Sequence, residues 1–173
     1  MPKLVADGYY IITRTSRRFF YPILQLACDK YTWCYRDVLH EYLDCEDNEI
    51  SSLNLSSNTA LQTLYCGVNS LTSIDVSKNN ALIKLDCYNN QLATLDLSKN
   101  ILLNTLVIWL NQLVSIDVNN NLDLEYLDCE ENQLTSLDVF NNVELLDLIF
   151  KNNQISGAID LTNNTKLIYL NAL

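Results

Sequence analysis

Leu61, Leu82, Leu103, Leu124 and Leu145 recur at an interval of 21 residues, and His40 stands in the same phase one step earlier. Counted from that position as place 1, apolar residues return at places 4, 6, 11, 14 and 16, and asparagine at places 9 and 19. In the copy that starts at Leu82 these are Leu85, Cys87, Leu92, Leu95, Leu97, Asn90 and Asn100. A fixed interval of this length marks a stacked repeat, a unit that is copied because one coil cannot bury its apolar stripe alone. The copies run over 40–60, 61–81, 82–102, 103–123, 124–144 and 145–166, the last lengthened by one residue around "SGAIDL", and a seventh opens at 167–173. Within each copy the alternation predicts a short strand, places 4 and 6 pointing inward and places 3, 5 and 7 outward. Coils stacked about 4.8 Å apart join these strands into one parallel sheet of six to seven strands over a continuous core. The fold class expected is an α/β repeat, a right-handed solenoid with the sheet on its concave side.

The asparagine at place 9 returns as Asn48, Asn69, Asn90, Asn111, Asn132 and Asn153. A buried amide there satisfies backbone groups left open as the chain leaves the sheet, so its loss should cost more than that of a surface asparagine. The chain has three Gly and two Pro, so its turns fall chiefly to Asn, Asp and Ser, which accept left-handed geometry. Residues 1–39 lie outside the repeat. There Leu24, Cys28, Tyr31, Tyr35, Val38 and Tyr42 recur at three and four residues behind Pro22, which predicts an amphipathic helix capping the first coil.

Strings such as "LDCYNNQLATLDLSKN" and "LDCEENQLTSLDV" resemble the leucine-rich repeat family, in particular the 21-residue, Cys-containing bacterial subclass typified by internalin J. The resemblance spans residues 40–173. It implies a curved solenoid used for protein recognition, of the adhesin or host-interaction kind, often at a bacterial surface.

Charge narrows the class of partner. The 173 residues carry a formal net charge of -10. Residues 1–39 hold six Lys or Arg against three Asp or Glu, and residues 40–173 hold five against eighteen. An acidic body lacks the clustered cations that phosphate binding needs, so no nucleic-acid partner is expected. No stretch approaches the roughly 20 apolar residues of a membrane-spanning helix. The opening "MPKLVADGYYIITRTSRRFF" has no uninterrupted apolar run of a secretory signal. As written, the chain points to the cytoplasm, whose reducing thiol balance suits six unpaired cysteines; the family resemblance points to export.

Four of the six cysteines, Cys45, Cys66, Cys87 and Cys129, fall at place 6, where Ile108 and Phe150 fill the other two copies. A slot that takes Cys, Ile or Phe is an apolar core position. Zinc motifs need pairs two to four residues apart, and thiols on parallel neighbours point the same way, so a reduced buried column is expected rather than a metal site or disulfides. Cys28 and Cys34, six residues apart on the expected helix, would face different ways.

Little in the chain looks catalytic. His40 is the only histidine and stands at a Leu place, no Ser-His-Asp or Cys-His arrangement can be assigned, and no Gly-rich phosphate loop is present. The reading is non-enzymatic, with no cofactor and no metal. Asp75, Asp96, Asp117, Asp138 and Asp160 do form a column at place 15. Calcium would need a wrapped coordination shell. Hydrogen bonds from nearby backbone, or from Ser73, Thr94, Ser115 and Ser136, are the expected compensation.

One copy departs from the rest. "LVIWLNQL" (106–113) stands where its neighbours read "LDCYNNQL" and "LDCEENQL". Ile108 keeps the core slot while Val107 and Trp109 face outward. The outward rows place Tyr65, Tyr88, Trp109 and Val107 together, with Lys84 and Tyr126 at place 3 and Asp86, Asp128 and Glu130 at the rim. An exposed Trp among Tyr side chains has the composition of an interaction hot spot. These nine residues are the candidate partner-binding site, and the acidic rim favours a protein partner with a basic surface. Its competitor is Trp109 lying flat as cover for Leu106 or Leu110. The ending "TKLIYLNAL" opens a coil with Leu167 and Leu170 at an unpaired parallel edge, which suggests a second role in self-association, or a fragment of a longer array.

Overall fold

The computed structural model describes residues 41–172 throughout and, before them, the backbone of three short strands: β1 (Leu4–Val5), β2 (Tyr9–Ile12) and β3 (Cys34–Arg36). Seven strands follow, β4 (Tyr42–Asp44), β5 (Thr63–Tyr65), β6 (Lys84–Asp86), β7 (Thr105–Val107), β8 (Tyr126–Asp128), β9 (Asp147–Ile149) and β10 (Tyr169–Asn171). All ten strands form one sheet in sequence order. β4 to β10 are parallel, and register links like place to like place, as in Leu64↔Leu85↔Leu106. β1, β2 and β3 continue the sheet antiparallel, β3 pairing Tyr35 with Asp44.

Identical register turns each repeat place into a column. Leu64, Leu85, Leu106 and Leu127 at place 4 and Leu61, Leu82, Leu103 and Leu124 at place 1 are fully buried. The column at place 6 holds the free thiols of Cys45, Cys66, Cys87 and Cys129 in the core, with Ile108 in line with them. Burial pushes the Cys66 and Cys87 thiols well up, and that of Cys129 to about 12. Each would lose hydration on ionising and therefore stays protonated. Backbone bonds prolong the ladder past the strands, from Cys87 N–H to the Val107 carbonyl at 2.9 Å and from Ile108 N–H to that of Asp128 at 2.8 Å.

Two asparagine columns lock the coils. Asn111 Nδ2 donates to the carbonyls of Cys87 (3.0 Å) in the preceding coil and Ile108 (3.2 Å) in its own, while its Oδ1 accepts the Leu92 N–H (3.0 Å). Asn69, Asn90, Asn132 and Asn153 repeat this set. On the opposite side Asn100 Nδ2 donates to the carbonyls of Val76 (3.1 Å) and Asn79 (2.9 Å) one coil back. Just before the first amide column the chain enters the left-handed region in six successive coils, at Asp47, Val68, Asn89, Leu110, Glu131 and Asn152 (φ 49–55°). The bend is therefore imposed by the coil and not chosen by the residue: Val and Leu adopt it at a cost of roughly 1–2 kcal/mol each.

Two expectations need correction. Among the described residues the returning arms contain no helix, so the α part of the α/β repeat is not seen. Those arms read L-x-x-L-D-L with turns at either end, too short and wrongly spaced for an isolated helix. Tyr35 and Tyr42, counted in the expected capping helix, lie on β3 and β4. Tyr42 is place 3 of the first coil, and pairing with Thr63 outweighs its local helical spacing. Leu24, Cys28, Tyr31, Val38 and His40 lie outside the described residues. The acidic column takes the backbone compensation expected of it, from N–H groups two residues ahead, and not the Ser73, Thr94, Ser115 or Ser136 alternative. Asp75 accepts the Ser77 N–H and Asp96 the Ser98 N–H at 2.9 Å, as Asp138 accepts that of Phe140 at 3.0 Å and Asp160 that of Thr162 at 2.9 Å. Each carboxylate closes an Asx turn, and the hydroxyl and N–H of the residue two ahead lower the proton affinity of Asp75 (Ser77), Asp160 (Thr162) and, N–H first, Asp96 (Ser98).

Candidate functional site

The outward side chains of places 3, 5 and 7 stand on the open face of the sheet, about 4.8 Å from their equivalents in adjacent coils. That spacing is also a ring-stacking distance. Tyr88 and Trp109, both at place 7, stack with centroids 4.6 Å apart and planes at 16°. On its other side Tyr88 reaches across the neighbouring coil, where Gly67 provides the room: a Cβ at Gly67 would meet Tyr88 Cε1 at 2.4 Å. The phenol hydrogen-bonds Glu46, whose carboxylate, together with burial, pushes the Tyr88 hydroxyl up to about 12. Beyond Trp109 the row ends in a Lys151–Glu130 ion pair at 2.9 Å, which raises the Lys151 ammonium.

A second cluster occupies the β4 to β6 end. Tyr65 packs against Tyr42 at 5.6 Å with rings tilted by 50°, and Lys84 Nζ lies 4.8 Å over the Tyr65 ring. That cation–π contact is worth about 0.5–1 kcal/mol at such a surface. The expected single strip is therefore two clusters, Tyr42–Tyr65–Lys84 and Glu46–Tyr88–Trp109, and Tyr126 joins neither. Burial first, then the charges of Asp128 and Asp147, raises the Tyr126 phenol.

From Tyr65 the place-5 row continues through Asp86, Val107 and Asp128 in direct register. The expected exposed rim is sunk at Asp128, which is only 9% exposed and accepts the Glu130 N–H at 3.1 Å. Its strand neighbours Val107 and Ile149 are apolar, so water is replaced by hydrocarbon on both sides. Asp86 Oδ1 is buried and has no hydrogen-bond partner among the described residues. Desolvation raises the Asp86 carboxyl to about 6, helped by Glu46 and Asp128 and opposed by the Tyr88 N–H and Lys84. Asp128 is raised for the same leading reason. Two under-solvated carboxylates, Asp86 and Asp128, thus flank Val107 in one row.

Glu46, Gly67, Lys151 and Tyr42 stand outside the nine expected site residues. Place 7, read coil by coil, spells Glu46, Gly67, Tyr88, Trp109, Glu130, Lys151; a glycine one step from a tyrosine and a Glu two steps away were the available signals.

Solved structures share the fold of the parallel solenoid. The functional domain of InlJ from Listeria monocytogenes, which includes a cysteine ladder, matches at 32% identity and TM-score 0.58 over 76% of this chain and 38% of that one. In sequence and fold the chain resembles leucine-rich-repeat proteins. An LRR protein of Leptospira interrogans (22% identity, TM-score 0.66, 73% of this chain, 35% of that) and the internalin InlF of Listeria monocytogenes (23%, 0.62, 79% and 50%) share the solenoid fold. The chain spans between about a third and a half of the length of these three structures. No family model and no curated protein matches it. A cysteine ladder is common to this chain and the InlJ domain.

Proposed function

We propose that the chain is a non-enzymatic protein-recognition module that binds its partner on the open face of the sheet. The Tyr88–Trp109 stack carries the reading. It spans the coil that departs from the repeat, and it presents a half-buried aromatic surface beside Asp86, Val107 and Asp128. Nothing in the fold requires it, since other coils place Glu46 or Glu130 at the same position. Trp109 and Val107 supply apolar anchorage, Asp86 and Asp128 receive a Lys or Arg of the partner, and Lys84 on Tyr65 and Tyr126 border the contact. The likeness to InlJ supports a role of the adhesin or host-interaction type.

The test is affinity capture on immobilised protein, comparing wild type with a Tyr88→Ala, Trp109→Ala double variant whose circular dichroism and unfolding midpoint match wild type. A protein retained by wild type and lost with the variant is the expected result, with Trp109→Ala alone weakening the purified pair about tenfold or more. Capture of the same set by both, or of further copies of the chain alone, would sink the reading.

A further inference from the structure

A second apolar surface lies at the coil edge that enters the sheet. From the second coil onward the place-1 N–H bonds back to the place-19 Asn carbonyl, as Leu103 to Asn100 at 3.0 Å, Leu124 to Asn121 at 3.2 Å and Leu145 to Asn142 at 3.1 Å. Places 20 and 21 are therefore the two central residues of a β-turn and stand at its tip. Such tips favour Asn, Asp, Gly or Ser. Three adjacent coils instead carry Ile101, Leu122 and Val143 at place 20, exposed by 56, 54 and 42%, with Leu102 beside Ile101 at 48%. Ile83, exposed by 42%, extends the patch to the next turn on the row of inter-coil bonds that runs from Gln62 through Ile83 to Asn104.

The fold does not ask for these side chains. Thr59, Asn80 and Thr165 occupy the same place in other coils and make the same turn. Because the asparagine column holds successive turns in register, Ile101, Leu122 and Val143 form one ridge at strand spacing rather than three scattered residues. A contiguous exposed ridge of this kind marks an interaction surface.

Charge selects the occupant. Asp123 follows Leu122 at the turn tip and Glu125 lies two residues on; neither forms an ion pair among the described residues. A second copy packed about a two-fold axis at Leu122 would set Asp123 against its own equivalent. An anionic bilayer would meet the same carboxylates with like charge. We propose that the ridge Ile101–Leu122–Val143 docks a protein segment that carries an apolar stripe flanked by Lys or Arg. This surface is separate from the Trp109 site and does not depend on it.

Titration of the full chain with a synthetic Leu/Lys amphipathic helical peptide, followed by methyl NMR, tests the proposal. The comparisons are a Leu/Glu peptide of the same pattern and vesicles of phosphatidylcholine with phosphatidylglycerol. The Leu/Lys peptide should shift the methyls of Ile101, Leu122 and Val143. Its affinity should fall about tenfold in an Ile101→Thr, Leu122→Asn, Val143→Thr variant, which uses residues the chain already places in such turns, and should be unchanged by Trp109→Ala. Equal affinity in the folded triple variant, no preference for Leu/Lys over Leu/Glu, shifts caused by vesicles alone, or a dimer that covers the ridge at all concentrations would each overturn it.

Discussion

Tyr88 lies across Gly67, its Cδ1 and Cε1 within 2.5 Å of where a methyl group at Gly67 would stand. Gly67→Ala thus displaces a side chain rather than the backbone: Tyr88 must swing away, losing Glu46 on one side and loosening the Trp109 stack on the other. The expected cost is about 1 kcal/mol, one hydrogen bond. In a Trp33→Phe background, Trp109 emission should change and the Tyr88 hydroxyl should titrate below its present value of about 12. Unchanged emission and titration would show that the ring does not depend on the glycine.

Asn111→Ala leaves the Cys87 and Ile108 carbonyls and the Leu92 N–H in the core without their amide partner. A loss of about 3 kcal/mol is expected, since buried groups forfeit both the bond and their hydration. The exposed Asn141→Ala should cost under about 0.5 kcal/mol. Urea unfolding of the two variants compares them, and similar losses would remove the structural role given to the place-9 column.

Leu110 holds a left-handed φ of 54° and is 37% exposed, so it bears backbone strain with little burial in return. Asn89 and Asn152 occupy the same place in other coils. Leu110→Asn should stabilise the protein by about 1 kcal/mol, raising Tm by about 3 °C. A fall in Tm would mean that the Leu110 side chain contributes more than its exposure indicates.

Asp86 makes stability and binding respond to pH in opposite senses. Its carboxyl sits at about 6, above the ordinary 3.8, so the folded state holds the proton more tightly than the unfolded one. This contribution to stability is fully present below about pH 4 and is lost as pH rises through 6. Asp86→Asn, which cannot ionise, should therefore be more stable than wild type at pH 7 by about 1 kcal/mol, after allowance for solvent screening of a partly exposed group. The advantage should shrink toward pH 4 in denaturant titrations. A cationic partner needs the ionised form, so its affinity should fall as pH drops through 6. An advantage of Asp86→Asn that stayed constant with pH would contradict this assignment.

Much of this architecture was legible from the chain. The 21-residue interval of Leu61, Leu82 and Leu103 and the L-x-x-L-x-C spacing specify parallel strands in register, because an apolar stripe repeated at one phase can be buried only by stacking like on like. The same logic placed Cys45, Cys66, Cys87 and Cys129 in one core column and Asn90 and Asn111 where the chain turns. Pattern alone also located Tyr88, Trp109, Asp86 and Asp128 on one face. It did not say what they do to one another.

That depended on side-chain reach across coils, which periodicity does not encode. Tyr88 bends back over Gly67 to Glu46 instead of leading a strip toward Tyr65, and Lys84 covers Tyr65 in its place. Asp128 sinks between Val107 and Ile149 although its place points outward, because exposure depends on the size of the neighbouring strands' side chains as well as on strand direction. The place-15 carboxylates turn forward to backbone two residues on, where the turn leaves an N–H to satisfy. The sequence by itself thus determined the coil, its register and its columns, since these follow from burying a periodic stripe. Only the tertiary structure decided which outward side chains pair with one another and which sink into the fold, since that choice rests on contacts between coils and on local desolvation.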